Sequence, residues 1–327
     1  GSDAIALGTL TTAGVSTASV TSQKAILDDN GSGVANITTG SGNITLVSVN
    51  GTAVPGQLAI SSDIATSGQV NASVSGGPNG SIYVRDVGAS QPTNVTLNAS
   101  AATTEGDVSY YRYGNLNLSP SIAMTPKAGV GSSDIGASGD INVMGAFTMG
   151  GATTSISAGG DFNVLNTVTM NGADNAISAG GNMNLTTGDV VMNGANSNTA
   201  IIGSVLGITG GSTLQAGAGK PLDVTAGAVS LDSGTLFSGG DMMLVTPGDV
   251  TMINGSSLAS GTGKLTFLAN NMSITNGAVS GYLGVDGTLF GNLTLGAAAG
   301  GTGYMTAGNG IVDLAIGGSG IEMFNGS

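Results

Sequence analysis

Tyr110, Tyr111 and Tyr113 stand around Arg112, the one place in the chain where aromatic and basic side chains cluster. A Tyr ring offers an apolar face with a hydroxyl at its rim, which suits half-wet contacts such as those with a sugar. These four residues are the ligand-binding candidate of the sequence. A second use of the same cluster is mechanical: the rings can pin a segment against the wall of the fold.

Other chemistry is poorly supplied. The chain has no His and no Cys, and its only Glu are Glu105 and Glu322. General acid–base work and glycoside cleavage need a tuned base or paired carboxylates in a cleft, and only Asp remains in number. Asp28-Asp29 is adjacent to Asn30-Gly31, a turn signature. No catalytic residue, no metal site and no cofactor is assigned. Asp140, Asp161 and Asp241 each follow Ser-Gly or Gly-Gly, with Asn182 in the same slot of another repeat. Stacked oxygens of that kind can bind Ca²⁺, but the same residues serve tight turns by hydrogen-bonding backbone. The turn role is the reading adopted.

The elements that must carry these residues come from repetition. Ile135, Ile156 and Ile177 recur every 21 residues, as do Ile141, Phe162 and Met183. A fixed period of this length marks a solenoid. Inside each repeat the apolar residues alternate, as in Phe162-Asn163-Val164 and Val168-Thr169-Met170. That is the period of a strand with one face buried. Gly-Gly, Ser-Gly and Asn-Gly supply the corners. So short a strand buries its inner face only if successive turns stack. The fold class is therefore all-β, a right-handed parallel β-helix, the hand being expected from crossover chirality. At about 21 residues per turn the chain would hold roughly 15 turns. Asn142, Asn163 and Asn184 should form one outer column and Thr148, Thr169 and Thr251 another, while Met149, Met170, Met192 and Met252 fill the core.

Three segments follow. Residues 1–87 are amino-terminal turns, with strands such as Ile44-Thr45-Leu46 and Ile82-Tyr83-Val84. Over 88–130 the 21-residue pattern fails, and Pro92, Pro120 and Pro126 fall there with the Tyr cluster. This segment is expected to leave the helix as a loop or hairpin laid over one flank. Residues 131–327 resume the turns, with one shortened between Asn193 and Thr213 and a looser period after Val279.

The repeats ISAGGDFNV at Ile156–Val164 and ISAGGNMNL at Ile177–Leu185 resemble the I-x-A-x-G-x-L-x-L signature of filamentous haemagglutinin-type exoproteins of bacterial two-partner secretion. The resemblance covers 34–87 and 131–280. It implies an extracellular, adhesive β-helix, secreted or held at the cell surface. It also implies an outer-membrane transporter as partner of the full-length parent. The Asn-Pro-Asn motifs of that family's secretion domain do not occur here, which suggests a piece of the shaft. Gly1-Ser2 reads as a cloning remnant, in keeping with a fragment.

Composition sets the partners. A net charge of −13 with six Lys and Arg disfavours nucleic acid and anionic membrane. No run of apolar residues is long enough for a membrane-spanning helix, so no membrane insertion is expected. Absence of Cys suits a secreted bacterial protein. The functional expectation is a rod-like adhesin segment that contacts a host or bacterial surface glycan or protein, or a biofilm polysaccharide. The alternative is a self-assembling extracellular fibre or matrix subunit, and a polysaccharide-active β-helix enzyme ranks below both.

Overall fold

The structure, a computed structural model, describes residues 4–119, 121–296 and 302–323. Gly1-Ser2, Pro120 and the closing Asn325-Gly326-Ser327 lie outside the described residues. The chain divides into two compact units, Gly1–Ile141 with Met149–Ser157 and Asn142–Thr148 with Ala158–Ser327. Each is an all-β parallel β-solenoid, and about 13 turns are made in total. No helix occurs among the described residues.

Stacking follows the alternation. In the first unit Ala18, Ile44, Val70, Val95 and Ile122 succeed one another in parallel register on one face. In the second unit Phe162, Met183, Leu206, Val229, Val250 and Met272 form such a column, all of them buried. Val168, Val190, Leu214, Leu236, Leu258 and Val279 form another. Met149, Met170, Met192 and Met252 are buried, as their inward parity requires. Each such side chain withdrawn from water contributes about 1.5–3 kcal/mol, and a turn can bury it only against its neighbours.

Outside, one column is polar over its whole length apart from Gly207. Asn163 Nδ2 donates to Asn142 Oδ1 at 3.0 Å and Asn184 Nδ2 to Asn163 Oδ1 at 2.9 Å. The Asn column continues through Gly207, Ser230, Thr251 and Ser273. Thr251 thus belongs with the Asn residues. Thr169 lies on a different face, where Val191, Gln215 and Phe237 follow it. The expected Thr column joining Thr169 to Thr251 does not form, because the two occupy different strands of their turns.

Segment 88–130 stays in the helix. Asn94–Asn98 pairs with Gln69–Val74 and Ile122–Thr125, and Val108–Arg112 pairs with Ile82–Asp86 and Ser133–Ala137. The 21-residue pattern fails there because strand partners in successive turns stand 25 to 27 residues apart across this segment, as in Val70–Val95, Val95–Ile122, Val84–Tyr110 and Tyr110–Ile135. Between Phe162 and Leu214 in the second unit they stand 21 to 24 residues apart. The longer turns also account for the lower turn number. The stretch between Asn193 and Thr213 is not shortened either: Ser197–Thr209 is one 13-residue strand, bulged between Ile202 and Val205.

Corners set the glycine content. A Cβ on Gly203 would lie 2.2 Å from Gly180 O in the turn before, so the corner closes only without a side chain. Asx side chains tie the corners together. Asp161 Oδ1 accepts Asn182 N–H at 2.7 Å, Asn182 Oδ1 accepts Val205 N–H at 3.1 Å, and Asp241 Oδ1 accepts Lys264 N–H at 2.8 Å. Asp140 donates its own N–H to Asn115 Oδ1 at 2.9 Å. The turn role of these residues is thus a link from each turn to the next.

Candidate functional face

Strand parity decides the Tyr cluster. In Val108–Arg112 the residues Val108, Tyr110 and Arg112 point inward, and Ser109 and Tyr111 point outward. Tyr110 is wholly buried and Arg112 is 6% exposed. These two are withdrawn from the candidate site, where the sequence had grouped them with Tyr111 and Tyr113. They belong to a buried polar network. Ile37, Ile64, Asp86, Arg112 and Ala137 form one inward column, and its third and fourth places are charged. Arg112 Nη1 pairs with Asp86 Oδ2, and Arg112 Nε donates to Asn115 O at 2.7 Å. Tyr110 Oη donates to Asp86 Oδ2 at 3.1 Å, while Asp86 Oδ1 accepts Gly88 N–H at 2.9 Å. Burial raises the Asp86 pKa above its ordinary value despite the Gly88 N–H and the Arg112 charge. Burial, with Asp86 beside it, pushes the Tyr110 phenol well above its ordinary value.

The outward residues make a different group. Register places Tyr83 beside Ser109 and Arg85 beside Tyr111. Arg85 in turn neighbours Asp63, and Tyr83 neighbours Ser61. The Arg85 guanidinium lies 5.5 Å from the centre of the Tyr83 ring, within cation–π range. It pairs with Asp63 through Nε and with Asp28 Oδ2 at 2.6 Å through Nη2, and Nη1 donates to Ser32 Oγ at 2.5 Å. Tyr113 is 42% exposed and meets Tyr111 edge to face, ring centres 5.3 Å apart at 79°. The Tyr111 ring leans over Gly136, where a Cβ would come within 2.6 Å of it. Tyr113 Oη lies 3.3 Å from Ser32 Oγ.

The segment carrying Ser32 is pinned over this face. Gly33 N–H donates to Asp63 Oδ2 at 2.6 Å, and Asn36 Oδ1 accepts Asp63 N–H at 2.7 Å. Asn36 Nδ2 donates to Leu7 O at 2.8 Å and to Asn30 Oδ1 at 2.8 Å. The carboxylate of Asp63 is buried, and burial raises its pKa more than Gly33 and Arg85 lower it. Burial also raises Tyr83. Beside the face lies a recess of about 320 Å³ lined by Leu27, Asp28, Gln57 and Ser61 among others.

The candidate face therefore consists of Tyr83, Arg85, Tyr111 and Tyr113, with Asp28, Ser32 and Asp63 holding the arginine. Of the four residues that the sequence grouped, Tyr111 and Tyr113 share this outward face, and Tyr83 and Arg85, which the grouping left out, join them. The signal that finds them is parity: Ile82, Val84 and Asp86 alternate with Tyr83 and Arg85 in the strand paired to Val108–Arg112. No family model, curated protein or solved structure matches the chain.

Proposed function

We propose that this chain is a shaft segment of a secreted or surface-exposed bacterial adhesin, mediating attachment or cell–cell contact, including within biofilms. The observation that carries the reading is the parallel, in-register stacking of short turns in each unit. It presents a polar outer column over an apolar inner one, as in Asn163–Asn184 over Phe162–Met183. Such turns grow by addition, each contacting only its neighbours, which suits a protein whose task is reach and rigidity. The signature at Ile156–Val164 and Ile177–Leu185 supports the filamentous haemagglutinin-type class. Its partners on this reading are surface glycans, surface proteins or biofilm polysaccharide, with an outer-membrane transporter serving the parent chain. No catalytic step is assigned.

Beads coated with the purified chain should bind bacterial or epithelial cells saturably and be displaced by free protein. Beads that bind no more cells than albumin-coated controls would remove the adhesive reading.

A further inference from the structure

We propose that the outward face formed by Tyr83, Tyr111 and Tyr113 in the first unit binds an uncharged sugar residue of a glycan, with Arg85 as a positioning residue. The inference rests on the adhesive reading and names the ligand chemistry of one face.

Three tyrosines on two adjacent strands and the corner after them form a partly exposed aromatic surface. Two of the three rings are fixed before any ligand arrives: Tyr83 by the guanidinium beside it, and Tyr111 by Gly136 and the edge of Tyr113. Fixed rings lose little entropy on binding, and each offers an apolar face to the C–H side of a pyranose. The polar complement is of the matching kind. Hydroxyls of Ser32, Ser61 and Ser109 and the Asp28 carboxylate lie around the rings, and Ser61, Asp28 and Gln57 line the adjoining recess. At about 320 Å³ the recess falls at the low end of small-ligand sites, which run to roughly 300–1,000 Å³.

Charge selects against acidic sugars. The one cation of the face, Arg85, is already engaged by two carboxylates, Asp28 and Asp63. The local balance is one negative charge in excess, in a chain carrying −13. An incoming sulfate, phosphate or sialic acid would meet that excess with no free donor cation, and its desolvation would go unrepaid. An uncharged hexose needs only hydroxyl partners and a ring face. Arg85 also carries Ser32 and, through Asp63, Gly33, so it sets the position of the segment that borders Tyr113.

The test is an array of immobilised oligosaccharides ending in glucose, galactose, mannose or N-acetylglucosamine, printed beside sialylated and sulfated counterparts. Hits are followed by titration of the free oligosaccharide. Binding to at least one uncharged terminus is expected, tenfold or more above its sialylated or sulfated form. Tyr83→Ala and Tyr113→Ala should each weaken it at least tenfold while the urea midpoint stays within experimental error. Tyr113→Phe, which keeps the ring, should retain most of the binding. Arg85→Lys should weaken binding and leave the uncharged preference intact. Preference for the acidic glycans, no binding to any uncharged one, or full affinity in Tyr83→Ala and Tyr113→Ala would overturn the proposal. Cell adherence by the beads that persists in the double Tyr variant sinks this inference while leaving the adhesive reading in place. Glycan binding without cell adherence does the reverse.

Discussion

Replacing Arg112 by Leu removes the one positive charge facing Asp86 in the interior of the first unit. Asp86 is wholly buried there and the Arg112 side chain is 7% exposed. After the change Asp86 keeps only the Gly88 N–H and the Tyr110 hydroxyl. Removing one partner of a buried ion pair typically costs about 3–5 kcal/mol, since the remaining charge is left uncompensated. Asp86 can escape part of that cost by taking a proton, because burial already raises its pKa and loss of Arg112 raises it further. The penalty should therefore be largest at pH 7 and shrink as the pH falls. Asp86→Leu combined with Arg112→Leu replaces the pair by apolar side chains in an apolar column, and it should recover most of the loss. Urea unfolding followed by tyrosine fluorescence reads this directly: the chain has no Trp, and four of its six Tyr lie in the first unit. A single variant within about 1 kcal/mol of the parent, or a double variant showing the sum of two losses, would refute the reasoning.

Gly203→Ala should destabilise the second unit by about 1–3 kcal/mol, the usual cost of forcing atoms into a packed site, since its Cβ would meet Gly180 O at 2.2 Å. A shift of the urea midpoint by far-UV circular dichroism measures it, and an unchanged midpoint would mean the corner has slack. The pH dependence of the units should run in opposite senses. Asp63, Asp86 and Asp134 have pKa values raised from 3.8, burial being the largest cause in each. The folded state then holds protons the unfolded chain has released. Their contribution is full below the unfolded value and is lost as pH rises through the folded values. Asp174 and Asp249, in the second unit, are lowered from 3.8, chiefly by hydrogen bonds from Ser197 and Asn271. They add stability above the unfolded value, lost as pH falls through the folded ones. Midpoints recorded from about pH 3 to 7 should show the first trend flattened by Asp86→Asn and the second by Asp249→Ala.

Alternation and repetition were legible because they are imposed by burial, residue by residue. Phe162-Asn163-Val164 tells its own inside from its outside, and the next turn repeats the statement. Turn length was less legible. Residues between strands are not constrained by the core, so a corner can lengthen without changing any inward column. For that reason 88–130 looked like an excursion although Val95, Leu97, Val108 and Leu116 are wholly buried rung residues. The Tyr cluster was half legible for a related reason. Adjacent residues in a strand face opposite ways, so Tyr110-Tyr111-Arg112 cannot all serve one surface. The polar pair Asp86 and Arg112 hid the parity, since charge at an inward position is uncommon and only pairing across turns makes it tolerable. Arg85 could be set beside Tyr111 only once the 26-residue step of that turn was in hand.

The claim beneath all of this is that successive turns lie in register, side chain over like side chain. The chain contains no Cys, so a pair introduced at Asn163 and Asn184 reads that register without background. These residues are opposite one another in adjacent strands, with their amides joined at 2.9 Å. Neighbouring strands lie about 4.8 Å apart, inside the roughly 4.4–6.8 Å that a disulfide spans between Cα atoms. The account predicts that Asn163→Cys with Asn184→Cys oxidises to completion in the folded protein, while Asn163→Cys with Gly207→Cys, two turns apart, stays reduced. A native far-UV spectrum with the Asn163–Asn184 pair still reduced, or both pairs oxidising alike, would contradict it.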